Sequence, residues 1–448
     1  MGYDLFIIGA GPGGYETALA AAAMGKKVGI AEERELGGTC LNRGCIPTKA
    51  LLKSARLYAD ALLRAGEYGV RVETPKADLK SMLAHAAAVE DELRRGIEGR
   101  LIKAGVDIYP VRASVAAPGR VIAGGKEIEA DHILLATGSS PMKLPIPGAD
   151  REGVYYSDDL LTGNGVDCQS IVIIGGGVVG AEIAQFYADL GRSVTVIEAL
   201  ERLLPRMEKE LGQSLASSFK KRGIRVLTGA RVEEIGKAAD GRLQLTVTQK
   251  DQTIAVEGDA VLLAAGRSPN TVGLLPEELS GLLERGYVRA DADGATAVSG
   301  LYAAGDIVLG SAQLAHTAVY QGKRALRRMF KAEAPAAQAL VPYCVFTSPE
   351  IASIGLTQEE AKKQGIAVTV KKSLTSLNGR SLVEGAERGF AKLVFGTEDR
   401  RLLGAQLFCT HASEMIGALG ALIARGADMD TFMETIWPHP TISEVLAL

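Results

Sequence analysis

The run Tyr3-Asp4-Leu5-Phe6-Ile7-Ile8-Gly9-Ala10-Gly11-Pro12-Gly13-Gly14 decides the fold. Its first half is a short apolar stretch of the kind that forms a buried strand, and it runs straight into a glycine turn. An alanine-rich helical stretch, Tyr15 to Met24, follows and is stopped by Gly25, and a second apolar strand, Val28 to Ala31, ends at Glu32. This is G-x-G-x-x-G in the context it requires: a strand before, a helix after and an acid at the end of the next strand. Gly9 permits the tight turn, Gly11 lets a pyrophosphate approach the backbone, and Gly14 allows close packing of helix on strand. The helix N-terminus adds partial positive charge. Glu32 is then placed to hold the two hydroxyls of an adenosine ribose.

The device recurs. Ile171 to Ile174 leads to Gly175-Gly176-Gly177-Val178-Val179-Gly180, then a helix through Leu190, then Val194 to Ile197 and Glu198. Gly9 to Glu32 and Gly175 to Glu198 are both 23 residues apart. One such motif is weak evidence; two in context with matched spacing specify two dinucleotide sites. A carboxylate at Glu198 repels a 2′-phosphate, so the second site favours NAD over NADP. The downstream strands repeat as well: Ile133 to Ala136 before Thr137-Gly138, and Val261 to Ala265 before Gly266-Arg267. The first copy is longer because it carries a cysteine segment and two helical stretches, about Leu51–Arg64 and Leu79–Ala104.

The whole chain has 448 residues, about three domains' worth at roughly 150 residues each. With 47% hydrophobic and 23% charged residues it has the balance of a soluble globular protein. Its net charge is −3 and no Lys/Arg block stands out, which argues against a nucleic-acid partner or an anionic membrane surface. The longest apolar run, Ile171 to Ala181, is far too short to span a membrane, and the N-terminus lacks the basic region of a signal peptide. Five cysteines, three of them isolated (Cys168, Cys344, Cys409), read as a cytoplasmic chain whose close pair, Cys40 and Cys45, has a special purpose.

That pair lies in Gly37-Gly38-Thr39-Cys40-Leu41-Asn42-Arg43-Gly44-Cys45-Ile46-Pro47-Thr48-Lys49. In a straight helix residues five apart are about 7.5 Å apart along the axis. A disulfide needs Cα atoms roughly 4.4–6.8 Å apart. If the pair bridges, the helix start is distorted, and Gly44 and Pro47 are the residues that permit it. A helix N-terminus favours thiolate, which suits a redox pair. Two structural thiols are the plainer alternative. Zinc lacks a second Cys or His pair at ligand spacing, so no metal site is expected.

These segments together resemble the FAD-dependent pyridine nucleotide–disulfide oxidoreductases, most closely the dihydrolipoamide dehydrogenases among them. The resemblance runs along essentially the whole chain and includes Gly266-Arg267-Ser268-Pro269-Asn270, Tyr302-Ala303-Ala304-Gly305-Asp306 and His439-Pro440-Thr441-Ile442-Ser443-Glu444. It implies an α/β fold with two Rossmann-like domains, for FAD and NAD, and an α+β C-terminal dimerisation domain. The implied division is 1–146 for FAD with the redox helix, 147–267 for NAD, 268–337 completing the FAD site, and 338–448 for the interface. Strands at Ile366–Lys371, Phe390–Phe395 and Leu402–Phe408, with helices near Ala412–Ala424 and Met429–Ile436, suit that last domain.

The resemblance also implies roles. Cys40 corresponds to the thiol that exchanges with substrate and Cys45 to the thiol lying against the flavin. Lys49 matches the lysine near flavin N5, Glu182 its carboxylate partner. His439 and Glu444 match a catalytic base and its orienting acid, and in the family that histidine reaches the disulfide of the other subunit of a homodimer. Cofactor contacts are implied at Gly38, Thr39, Thr137, Gly138, Gly266, Gly305, Asp306 and Ala315, besides the two glycine motifs and their acids. The activity implied is oxidation of protein-bound dihydrolipoamide to lipoamide with NAD⁺, through FAD and a Cys40–Cys45 disulfide. The partner would be a lipoyl-bearing protein of a 2-oxo acid dehydrogenase or glycine cleavage complex. An NADH-dependent reductase of another disulfide is the alternative, and a scaffold without chemistry is disfavoured by the intact Cys40, Cys45, His439 and Glu444. Two departures touch the expected mouth of the substrate channel: Trp437 stands where the family commonly has His, and only four residues follow Glu444.

Overall fold

A computed structural model describes residues 2–163, 165–331 and 340–447. The first glycine motif sits in a seven-stranded sheet. Its parallel part runs Asp107–Tyr109, Val28–Ala31, Tyr3–Ile8, Lys126–Leu135, Leu301–Ala303. The second motif sits in a parallel five-stranded sheet, in the order Arg225–Thr228, Ser193–Glu198, Ser170–Ile174, Ala260–Leu263, Val154–Tyr156. In both, the glycine-turn strand has the acid-bearing strand on one side and the downstream strand on the other. Leu5, Ile7, Ile173 and Leu262 are fully buried, as parallel strands covered on both faces require.

The repeat extends further than the motifs foretell. Each unit carries a three-stranded antiparallel meander: Ala113–Ala117, Arg120–Ala123 and the start of Lys126–Leu135 in the first. In the second it is Ala230–Lys237, Leu243–Gln249 and Gln252–Gly258. The fifth parallel strand is recruited from opposite directions. In the first unit it comes from far downstream, at Leu301, and in the second from just upstream, at Val154.

The first helix begins at Pro12, three residues before Tyr15, because proline at the first helical position loses no hydrogen bond there. The helical stretches of the insertion are Cys45–Leu63 and Leu79–Lys103. The C-terminal region forms an antiparallel sheet in the order Tyr343–Val345, Glu350–Gly355, Leu402–Cys409, Phe390–Gly396, Val368–Leu374, backed by the helix Ala412–Ala424. The edge strand runs to Leu374 rather than ending at Lys371, and the last α-helix is Met429–Glu434. The boundary expected at 337/338 lies outside the described residues. Among the described residues no helix is long and apolar enough to cross a membrane.

One apolar cluster joins the pieces: Leu51, Leu52 and Ala55 of the insertion, Ile173, Phe186 and Phe219 of the second unit, and Val345, Phe390 and Phe408 of the C-terminal sheet. Beside it lies a buried ionic cluster. The Lys392 ammonium donates to Glu208 and, at 3.2 Å, to Glu210, which also receives Lys372. Both acids stand at the start of the helix Lys209–Lys221, where the helix dipole favours negative charge. Burial pushes the Glu208 carboxyl up, and Lys392 pulls it back. Removing one partner of a buried pair strands the other charge. Lys392→Met is therefore expected to lower unfolding free energy by about 3–5 kcal/mol. A Lys392→Met/Glu208→Leu double variant should recover most of that, as read by urea denaturation.

Candidate active site

The two glycine turns are built alike, atom for atom. Gly9 and Gly175 take positive φ of 104° and 118°, and a Cβ on either would stand 2.3 or 2.5 Å from the carbonyl oxygen of Ala136 or Ala264. A Cβ on Gly14 or Gly180 would lie 1.9 Å from the oxygen of Gly9 or Gly175. At Gly11 and Gly177, by contrast, a Cβ would meet nothing within 4 Å. The first and third glycines are thus needed for packing, and the second faces open space where a pyrophosphate fits. No side chain caps the helices starting at Pro12 or Val178, so their first N–H groups remain available to an anion.

The two acids are pinned alike too. Glu32 accepts from Ala10 N–H at 2.8 Å and Arg34 N–H at 3.0 Å. Glu198 accepts from Gly176 N–H at 2.6 Å and Leu200 N–H at 2.8 Å. Each carboxylate is locked to its own glycine loop before any ribose arrives.

A second set of groups closes over the first turn. Asp306 accepts from the Ser139 hydroxyl at 2.6 Å, and Ser139 receives the Arg267 guanidinium at 2.7 Å. Burial holds Arg267 below its ordinary range, with Asp158 and Asp306 opposing. Thr137 and Gly138 are tied to Asn270: Thr137 Oγ1 donates to Asn270 O at 2.7 Å and Asn270 N–H to Gly138 O at 2.9 Å. Gly305, at φ 83°, donates its N–H to Gln321 Oε1 at 2.8 Å. Just beyond, Ser311 Oγ, Gln313 Nε2 and Thr317 Oγ1 are buried without a hydrogen-bond partner, around the uncapped start of the helix Ala315–Met329. Buried polar atoms without partners are rare in folded proteins. Here they line the segment in which the resemblance places flavin contacts, so the residues present fit FAD. His316 instead contacts the Pro342 carbonyl, 2.9 Å away. No sequence signal marks Ser139, and Arg267 carries one only as part of the Gly266–Asn270 motif.

The cysteine segment forms two helices, Gly38–Arg43 and Cys45–Leu63, broken at Gly44. Gly44 adopts φ −146°, ψ −108°, and a Cβ there would crowd Thr39 O at 2.9 Å. The expected distortion is therefore present, and it lies between the two cysteines. Thr48 Oγ1 donates to the Gly44 carbonyl at 2.6 Å and closes the new helix start. Gly38, at φ 59°, lies so close to Gly11 that a Cβ would stand 2.7 Å from its Cα. The redox segment thus rests on the first glycine turn.

The two cysteines lie side by side, close enough for one sulfur to hydrogen-bond the other. The Cys40 thiol hydrogen-bonds to the Cys45 sulfur. That bond outweighs burial and, with the Lys49 charge, lowers Cys45 from 9.0 to about 7, while it pushes Cys40 upward. Lys49 Nζ lies 3.1 and 2.9 Å from the two oxygens of Glu182, which is 3% exposed. At the other end of the chain His439 Nδ1 lies 2.9 Å from Glu444 Oε1. The Thr441 N–H and the His439 ring hold the Glu444 carboxyl below its ordinary range. This dyad faces a surface groove with Leu377, Asn378 and Trp437, and the imidazole is 78% exposed. Among the described residues no hydrogen bond joins His439 to either thiol of its own chain.

The family model for pyridine nucleotide-disulphide oxidoreductases matches residues 3–322, and that for the dimerisation domain of the same proteins matches 341–448. The chain belongs to this family: it is an FAD- and NAD-dependent disulfide oxidoreductase with a homodimer-forming C-terminal domain. It is 35% identical to the dihydrolipoyl dehydrogenase of Chlorobaculum parvum over 99% of this chain and 95% of that protein. It is 36% identical to the protein of the same name in Chlamydia muridarum, again over 99% and 95%. Among solved structures, LpdA from Mycobacterium tuberculosis superposes with a TM-score of 0.90 at 28% identity, over 99% of this chain and 98% of that one. The HOCl-induced flavoprotein disulfide reductase RclA from Escherichia coli gives 0.87 at 28% identity, with the same coverage.

With the thiolate at Cys45, the reduced protein should lose one proton from the pair with a midpoint near pH 7, and below that pH Cys45 should be protonated. The check is the pH dependence of Cys45 carbamidomethylation, read by peptide mass spectrometry; a midpoint at the ordinary thiol value would contradict the hydrogen-bonded pair.

Proposed function

We propose that this protein oxidises protein-bound dihydrolipoamide to lipoamide, passing the electrons to NAD⁺. The observation that carries this reading is the Cys40–Cys45 pair itself. Two thiols meet across a broken helix, with the negative charge assigned to the one beside Lys49. The first glycine turn with Glu32, Thr137, Gly138, Gly305, Asp306 and Ala315 holds FAD, and Gly175, Gly177, Gly180, Glu198 and Gly266 hold NAD. On this reading residues 1–146 and 268–337 serve FAD, 147–267 serve NAD and 338–448 form the interface.

Bound FAD supplies the two-electron link between the cysteine pair and the nicotinamide nucleotide. The remaining work falls to side chains. His439 of the partner subunit takes a proton from one substrate thiol, and Glu444 fixes the imidazole tautomer and stabilises the imidazolium. The substrate thiolate attacks Cys40 Sγ, breaking the Cys40–Cys45 bond and leaving Cys45 as thiolate. The second substrate sulfur then displaces Cys40, closing the lipoamide ring. Two electrons and one proton remain on the pair, the proton held by Cys40 and shared with Cys45. Lys49 balances the thiolate charge. The lipoyl-bearing protein of a 2-oxo acid dehydrogenase or glycine cleavage complex, in the cytoplasm, is the proposed partner.

A second reading, NADH-dependent reduction of another disulfide, is favoured by Trp437. Its ring stacks on the buried Phe432 and lines the groove that also holds His439. Steady-state NADH formation from dihydrolipoamide separates the two. Rapid turnover with NAD⁺ and little with NADP⁺ is expected on the first reading. Reduction of the cysteine pair by NADH without dihydrolipoamide turnover would favour the second. His439→Gln should lower kcat by about 10²–10⁴-fold. Cys45→Ser should abolish dithiol oxidation while NADH still bleaches the flavin.

A further inference from the structure

The Lys49–Glu182 pair rests on a third element, contributed by the C-terminal sheet. The strand Tyr343–Val345 runs into Phe346-Thr347-Ser348, and these residues lie along the helix Val178–Asp189. Glu182, Gln185 and Asp189 follow at spacings of three and four, so they share one face of that helix. Phe346 N–H donates to Glu182 Oε1 at 3.0 Å, and Ser348 N–H to Gln185 Oε1 at 2.7 Å. Arg222, bonded to Asp189 at 3.0 Å, donates to the Ser348 carbonyl at 2.9 Å. The backbone on either side of Thr347 is therefore clamped to the helix.

This clamp brings the Phe346 ring against Lys49, whose Nζ lies 4.4 Å from the ring centroid. An ammonium has three hydrogens. The Glu182 oxygens take two of its directions, and the π-face of Phe346 lies against the ammonium as a further surface that attracts a cation. The Lys49 side chain is part-buried, 32% exposed, and the Phe346 ring is one of the surfaces packed against its ammonium. One residue thus holds both members of the pair, Glu182 through its N–H and Lys49 through its ring.

We propose that Phe346 is a positioning residue of the redox centre, holding the Lys49–Glu182 pair so that the ammonium stays beside Cys45. The proposal rests on the reading of Cys40 and Cys45 as the redox pair. It gives the C-terminal domain a part in the chemistry of its own subunit's thiols, separate from the role of His439.

The test uses the reduced, flavin-loaded protein and the rate of Cys45 carbamidomethylation against pH. Lys49→Met should move the Cys45 midpoint upward by about 1 pH unit, the shift expected on losing a nearby opposite charge. Phe346→Met, which keeps the volume but removes the π-face, should move it the same way by roughly half a unit. Phe346→Tyr should leave it in place. Phe346→Met should add nothing in the Lys49→Met background, since a residue acting through Lys49 has nothing left to position. A midpoint unmoved by Phe346→Met, or moved equally with and without Lys49, overturns the proposal. If Lys49→Met itself leaves the midpoint alone, the proposal falls together with the role given to Lys49.

Discussion

The chemistry of this protein depends on one contact between two backbone segments that have no side chains between them. Gly38 lies on Gly11 so closely that a single Cβ would collide with it. That approach lays the cysteine helix directly over the first dinucleotide turn. Everything downstream inherits the placement: the break at Gly44, the thiols on either side of it, and Lys49 one turn further along the second helix. A larger residue at Gly38 would lift the redox segment off the turn, and a larger one at Gly44 would crowd the Thr39 carbonyl.

From that contact outward, the candidate site draws on all parts of the chain. Lys49 comes from the insertion in the first unit, Glu182 from the helix of the second glycine motif, and Phe346 from the C-terminal sheet. Asp306, Ser139 and Arg267 form a similar relay across the first unit and the strand that follows the second. In both relays a charge buried by one element is satisfied by another, which is how buried charge is tolerated at all. The Lys392 cluster belongs to the same scheme, since it ties the second nucleotide unit to the sheet that carries Phe346.

The two nucleotide units show how one solution is used twice with different surroundings. Their glycine turns coincide in φ, in the carbonyls they approach and in the N–H groups their acids capture. They differ in where the fifth strand comes from, and that difference threads the chain out of the first unit, through the second and back. This threading brings Asn270 to the Thr137–Gly138 turn, Asp306 to Ser139 beside it and Gly266 to Met142.

Both glycine motifs, their strands and helices, the acids Glu32 and Glu198, and the helix break between Cys40 and Cys45 were legible in the sequence. Each is a local matter, decided by the backbone conformations that neighbouring residues allow. The resemblance extended the reading to Lys49, Glu182, His439 and Glu444, whose partners no local pattern reveals. The tertiary structure alone decided which distant groups meet. Lys49 and Glu182 are 133 residues apart, Ser139 and Asp306 167, and Phe346 and Glu182 164. Such pairs carry no periodicity and no spacing rule, because chain separation does not constrain them once sheets and helices have packed. The ionisation of Cys45 draws on both: Cys40 and Lys49, which lower it, are near in the chain, while Glu182, which opposes them, is brought beside it only by the fold.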